Sequence, residues 1–172
     1  MPTEKRDLLL RQFETASTLF HFHFDDLTFA EVMWRPARIA MHVKPGEDGD
    51  WTADWPESEA YEVGPPSAAW IIWHITYWWT MVLDHSFGAG TASRENIAWS
   101  GEGFQTQIRE LEQGWLGALE GLDDTALDSN RLAVWPMSGR PFADVVGWVN
   151  IELTKNSAEL GLLRFLYAVR ED

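Results

Sequence analysis

The sequence predicts an all-α fold, a four-helix bundle with a long irregular loop between its first and second helices. Three observations carry this reading. Apolar residues recur three or four apart over four separate stretches, which is the period of a half-buried helix. The stretches are punctuated: Pro66 and Ser67 open one, proline by fixing φ and serine by capping free N–H groups, and Gly88 closes it. Two of the four carry polar groups within apolar stripes, His74 on one and Glu152 with Asn156 on another. Facing helices that point such groups inward are how bundles build their sites.

The first helix is expected over residues 3–25. Leu9, Phe13, Ala16, Phe20, His23 and Leu27 share its stripe, and His21 lies far round the helix from His23. A short helical turn follows over 28–34, with Thr28 as cap and Glu31 three residues on, a capping-box spacing. Arg35-Pro36 ends it. Residues 37–64 then read as irregular chain: GEDGD, DWPESE and VGPP are turn chemistry, with Trp51 and Trp55 as aromatic anchors. A loop of this length is a lid, part of an oligomer contact or a decorated connection.

The second helix lies between Pro66 and Gly88, with Trp70, Ile71, His74, Trp78, Met81 and His85 as its stripe. The third, over 101–122, aligns Phe104, Ile108, Leu111, Trp115, Ala118 and Leu122 in a seam without polar interruption, so it supports the core. Residues 123–140 are turn-rich. The last helix, over 141–170, has Val145, Val149, Glu152, Leu153, Asn156, Leu160 and Leu163 on one side, with Glu159 at its edge. There is no internal repeat and no low-complexity segment.

At 172 residues, a single domain spanning the chain is expected, large enough to bury about two-thirds of its unfolded surface. Eleven tryptophans imply bulky packing or an aromatic-lined cavity. With no cysteine, neither a disulfide framework, a thiolate zinc site nor a cysteine nucleophile is available. The formal net charge of −14 opposes binding to a phosphate backbone, which excludes nucleic acid as an expected partner. The MPTEKRD start is charged, and the longest apolar run, 68–83, is shorter than the roughly 20 residues a span needs. A cytoplasmic protein with no membrane partner is expected.

His74 reads either as a core histidine satisfied by hydrogen bonds or as a metal-competent ligand. Glu152 is costly in an apolar stripe unless it meets a cation or good donors, so it pairs with His74, with a buried arginine or with a metal. His23 could approach the same cavity from the first helix. His85 is about 16 Å along the helix from His74, too far to share an ion. His42, in the loop, is expected in solvent. No nucleophile constellation or phosphate loop is visible.

Four segments carry a family resemblance. LRQFETASTLFHFHFDDLTFAEVMWRP, DWPESEAYEVGPPSAAWIIWHITYWW, GEGFQTQIRELEQGWLGALEGLDDTAL and WVNIELTKNSAELGLLRFLYA together resemble, in that order, the four helices of the DinB/YfiT-like superfamily. The resemblance implies a four-helix bundle, a homodimer, and a divalent metal, zinc or nickel, near one end of the bundle. The implied ligands are His74 from the second helix with Glu152 and Asn156 from the fourth. Some relatives have glutamate at the earlier fourth-helix position, but the later one is usually histidine. An amide oxygen is a poor ligand for those metals and suits harder cations. The implied function is a metal-dependent enzyme acting on a small molecule by thiol S-transfer, isomerisation or hydrolysis, with a low-molecular-weight thiol as co-substrate. The alternative is a non-catalytic small-ligand-binding or dimeric interaction protein with a degenerate metal site.

Overall fold

The computed structural model describes residues 2–46, 49–58 and 60–171. Four long helices dominate: α1 (Glu4–Phe24), α3 (Ala68–Phe87), α4 (Phe104–Glu120) and α6 (Phe142–Ala168), with two short ones, α2 (Phe29–Met33) and α5 (Asp124–Asp128). The fold is therefore all-α, as expected. α1 packs along α6, and α3 packs against both α4 and α6. Trp78, Trp79, Trp115, Phe20, Phe24 and Phe142 fill the centre, each fully buried. Burial of such a side chain contributes about 1.5–3 kcal/mol, which explains the use of so many large aromatics.

The helix starts follow the local chemistry. Thr28 and Glu31 form both halves of the capping box on α2. Ser67 Oγ accepts the N–H of Trp70 at 3.2 Å and caps α3. The stop at Gly88 works through a neighbour. Asp84 accepts the N–H groups of Ala89 and Ala92 at 3.1 and 2.7 Å, and a Cβ on Gly88 would meet its carboxylate at 2.6 Å. α4 begins at Phe104 because a 3-10 turn, Gly101–Gly103, precedes it. α5 interrupts the turn-rich 123–140 segment, capped by Asp123, whose side chain accepts the N–H of Ala126.

Two expectations need correction. Residues 37–64 are not irregular throughout. β1 (Val43–Pro45) and β2 (Trp51–Ala53) pair antiparallel, with Val43 opposite Ala53 and Pro45 opposite Trp51. The turn joining them contains Glu47 and Asp48, so part of the GEDGD turn lies outside the described residues, as does Glu59 of DWPESE. Strands of three residues fall below the length at which alternation can be read. A 3-10 turn at Tyr61–Val63 follows, and Met41 pairs with Pro66 beside the start of α3. The segment is a strap laid across the bundle.

The second correction concerns α3. The stripe of six predicted on it is only part of its buried surface: Ile71, Trp78 and Met81 are buried, while Trp70, His74 and His85 are partly open. Ile71, Ile72, Trp73, Ile75, Thr76, Trp78, Trp79 and Val82 are all buried, so the helix is covered on nearly every side. Trp70, His74 and Tyr77 form the partly open side. A helix apolar all round carries too little amphipathic contrast for periodicity to identify its core face. No helix among the described residues is long and apolar enough to cross a membrane.

Candidate functional site

The open side of α3 forms one wall of a cavity of about 800 Å³, whose other walls are the strap and α6. Trp55, Tyr61, Trp70, His74, Lys155 and Glu159 are among its lining residues. This volume suits a small organic ligand. Spacing on α6 explains the polar wall, since 152, 155, 156 and 159 recur at three and four and share a side of the helix.

Trp70 sets the geometry. Its indole Nε1 donates to the carbonyl of Asp54 at 2.6 Å, which fixes the ring against the strap. His74, one turn on, stacks on that ring with centroids 4.9 Å apart and planes 9° from parallel. Trp55 and Tyr77 stand at 6.5 and 6.2 Å from the same imidazole. In these surroundings the charged imidazolium is disfavoured. Burial pushes the His74 pKa down from 6.5 to about 3, the Lys155 ammonium adds to the depression, and Asn156 opposes it weakly. The ring is neutral at physiological pH. Its Nδ1 is buried without a hydrogen-bond partner.

The two predicted α6 residues are engaged elsewhere. Glu152 is ion-paired with Lys155, Oε2 to Nζ at 2.7 Å, although that oxygen completes no directional hydrogen bond. Lys155 thus takes the place that the ion-paired reading gave to His74 or a buried arginine. Asn156 is fully buried. Its Oδ1 accepts from Trp78 Nε1 at 3.2 Å and its Nδ2 donates to Glu159 Oε2 at 3.0 Å.

This donor set does not fit a resident metal as arranged. Among the described residues, no three histidine or acidic side chains are grouped to hold an ion. The amide oxygen of Asn156 is occupied by an indole N–H, and an ammonium group already holds Glu152. What the arrangement offers is a neutral imidazole in an aromatic stack, with an ammonium and a carboxylate on the facing helix.

The other histidines are distributed across the structure. His42, expected in solvent, is buried, and its Nδ1 pairs with Ser67 Oγ at 2.7 Å. Burial depresses its pKa, and the positive charge of Arg35 adds to the effect. The hairpin, invisible to periodicity, is what carries it inside. His23 does not line the cavity; it packs on Gly161, where an added Cβ would come within 2.7 Å of its ring. His85 Nε2 bonds to the carbonyl of Ala92 at 2.9 Å. His21 lies between Asp25 and Glu112, each at 2.8 Å. Burial works against its charge, but the two carboxylates prevail and raise its pKa.

Sequence reasoning missed Lys155 and the role of Trp70. Lys155 lies three residues after Glu152 and four before Glu159, an ordinary surface-charge spacing. Only the orientation of α6 toward the cavity makes it part of the site.

The fold is thus a small helical one with a cavity between two long helices and the strap. The sequence profile of the DinB superfamily matches residues 12–160, and the chain belongs to that superfamily. The match includes His74, Lys155, Asn156 and Glu159. No curated protein and no solved structure matches the chain.

Proposed function

We propose that the cavity beside His74 is the working site and that this DinB protein binds a small organic molecule there. The carrying observation is the stacked, neutral His74 on the wall of an aromatic cavity, with its Nδ1 buried and unpartnered. A buried polar atom left unpartnered costs about 1–3 kcal/mol. Apart from the neighbouring Asn156 amide, nothing among the described residues uses the hydrogen-bonding capacity of His74. An imidazole so reluctant to accept a proton is a poor general base at neutral pH. His74 is accordingly a fixed hydrogen-bonding and stacking group rather than a proton shuttle. Calorimetric titration with a panel of small aromatic compounds and low-molecular-weight thiols tests this. Saturable binding to the wild type that is lost in Trp70→Leu is expected, and absence of binding across the panel would sink the reading.

A second reading is the metal-dependent transferase, isomerase or hydrolase that the superfamily resemblance implies. The unpartnered Nδ1 of His74 favours it, since a neutral imidazole lone pair is a metal ligand. In this reading Glu152 leaves Lys155, and Asn156 gives up its bond from Trp78. Elemental analysis of protein purified without an affinity tag or chelator, as wild type and as Glu152→Gln, separates the two readings. A near-stoichiometric divalent metal that falls in the variant supports the second reading, and metal-free protein that resists reloading leaves the first.

The protein is proposed to act in the cytoplasm as a homodimer. Ile151, Leu162, Phe165 and Val169 expose an apolar stripe along the outside of α6. Exposed apolar surface of this kind is what an oligomer contact covers.

A further inference from the structure

The charge balance of the cavity identifies the chemistry of what it takes. Lys155 is the one cation among its described lining residues, and Glu152, just behind it on α6, is ion-paired to it. The lining charges that remain are Glu57 on the strap and Glu159 on α6, both carboxylates. Glu159 is partly buried and receives only a neutral amide hydrogen bond from Asn156. No cationic partner reaches it among the described residues.

The aromatic walls point the same way. The Trp55 and Trp70 rings lie 6.4 Å apart and tilted by 31°. Trp70 has committed its N–H to Asp54, so what it retains for a ligand is π surface. Trp55 already accepts a cation, because the Arg94 guanidinium sits 5.0 Å from its ring centre. Tyr61, also on the lining, is fully exposed. Rings with negative faces, beside a carboxylate lacking a cation, form the environment that recognises amines and quaternary ammonium groups. The net charge of −14 adds long-range attraction of the same sign preference.

We propose that this cavity selects a small organic cation, an alkylated amine or quaternary ammonium compound. Its head lies against Trp55 and Trp70, and its charge is balanced by Glu159. His74 contributes a neutral stacked surface that does not repel a cation. The inference rests on the cavity being the working site and goes further by assigning the charge of its ligand.

The test compares three probes of one shape by calorimetry at physiological ionic strength: choline, its uncharged isostere with carbon in place of the quaternary nitrogen, and the corresponding carboxylate. Choline should bind about tenfold more tightly than the uncharged isostere, and the carboxylate should not bind. Glu159→Gln should remove most of that preference, leave the affinity for the uncharged isostere unchanged, and leave the urea midpoint near that of the wild type. Trp55→Leu, at an exposed position where misfolding is not expected, should weaken choline binding about tenfold. Equal or tighter binding of the isostere or the carboxylate would overturn the cation assignment and leave the cavity as a binding site. A choline preference unaffected by both substitutions would overturn it as well. If none of the three probes binds, nor any member of the aromatic and thiol panel, both readings fail together.

Discussion

His21 and His74 are both partly buried on long helices and have opposite electrostatic settings. His21, on α1, is held between the carboxylates of Asp25 and Glu112 at 2.8 Å each, and its pKa is raised. His74, on α3, is stacked on Trp70 beside an ammonium, and its pKa falls to about 3. The side chain is the same, so the difference lies in what faces it. His21 cross-links two helices between two carboxylates that favour its charged form; His74 presents a neutral surface to a cavity. A histidine on a helix therefore carries no fixed meaning until its neighbours across the helix contact are known.

The sharpest way to break this contrast is to give His74 a carboxylate of its own. Asn156→Asp places a charge at a fully buried position beside Glu159, removes the N–H that Glu159 accepts, and leaves only the Trp78 donor. A loss of about 3 kcal/mol or more at neutral pH is expected from urea unfolding. The loss should shrink on acidification as the new carboxyl group takes up a proton. An unchanged midpoint would mean that the amide is not holding this wall together.

A second prediction concerns acid. Because the folded-state pKa of His74 lies below its ordinary value, the unfolded chain binds more protons between about 6.5 and 3. Its contribution is complete above pH 6.5 and is lost as pH falls toward 3. His74→Phe removes that term while leaving the carboxylates of the chain in place. At about pH 4.5 the wild type should have lost roughly 2–3 kcal/mol more than the variant, each relative to its own value at neutral pH. Parallel stability profiles would show that His74 is not held neutral.

The smallest effect is expected at His21. Its raised pKa gives a contribution that is complete below the ordinary value and is lost as pH rises through the folded-state value. Glu112→Gln should lower the His21 titration midpoint, followed by NMR of the ring protons. The stability change should stay under about 1 kcal/mol, since the group is partly exposed to screening solvent. A midpoint that does not move would assign the raised value to Asp25 alone.

The long helices were legible from their apolar period, and two helix starts, those of the short α2 and the long α3, also carry their own punctuation. Thr28 with Glu31, and Ser67 ahead of Trp70, signal helix starts with their own side chains, and the structure realises both bonds. The site was legible only in part. His74 and Asn156 stood out as polar groups in apolar stripes, and both lie at or next to the cavity. Their partners did not stand out, because contacts between helices depend on rotation about each axis. On α3, apolar nearly all round, the periodic pattern marked a stripe of which Ile71, Trp78 and Met81 are buried and the rest is partly open. The hairpin and the buried position of His42 were out of reach for a different reason. Three-residue strands and a single long-range pair, His42 with Ser67, leave no periodic trace.

Asp54 gathers several of these threads at one residue. Its N–H donates to the carbonyl of His42, its carbonyl accepts from Trp70, and its carboxylate accepts from the N–H of His42 while meeting the Lys44 ammonium. At the other end of the strap, Met41 and Ser67 exchange main-chain contact through Ser67 N–H and Met41 carbonyl at 2.9 Å. The chain from 55 to 65 is thus a closed ring in the topological sense, fastened at both ends to the same stretch of backbone. Closing a ring is the larger entropic penalty in ordering a loop, and here the fold has met it before any ligand arrives. The cavity rim is therefore anchored at both ends by contacts of the fold itself. In hydrogen exchange, the amides of His42 and Asp54 should report opening of the strap separately from the slow global exchange of α3.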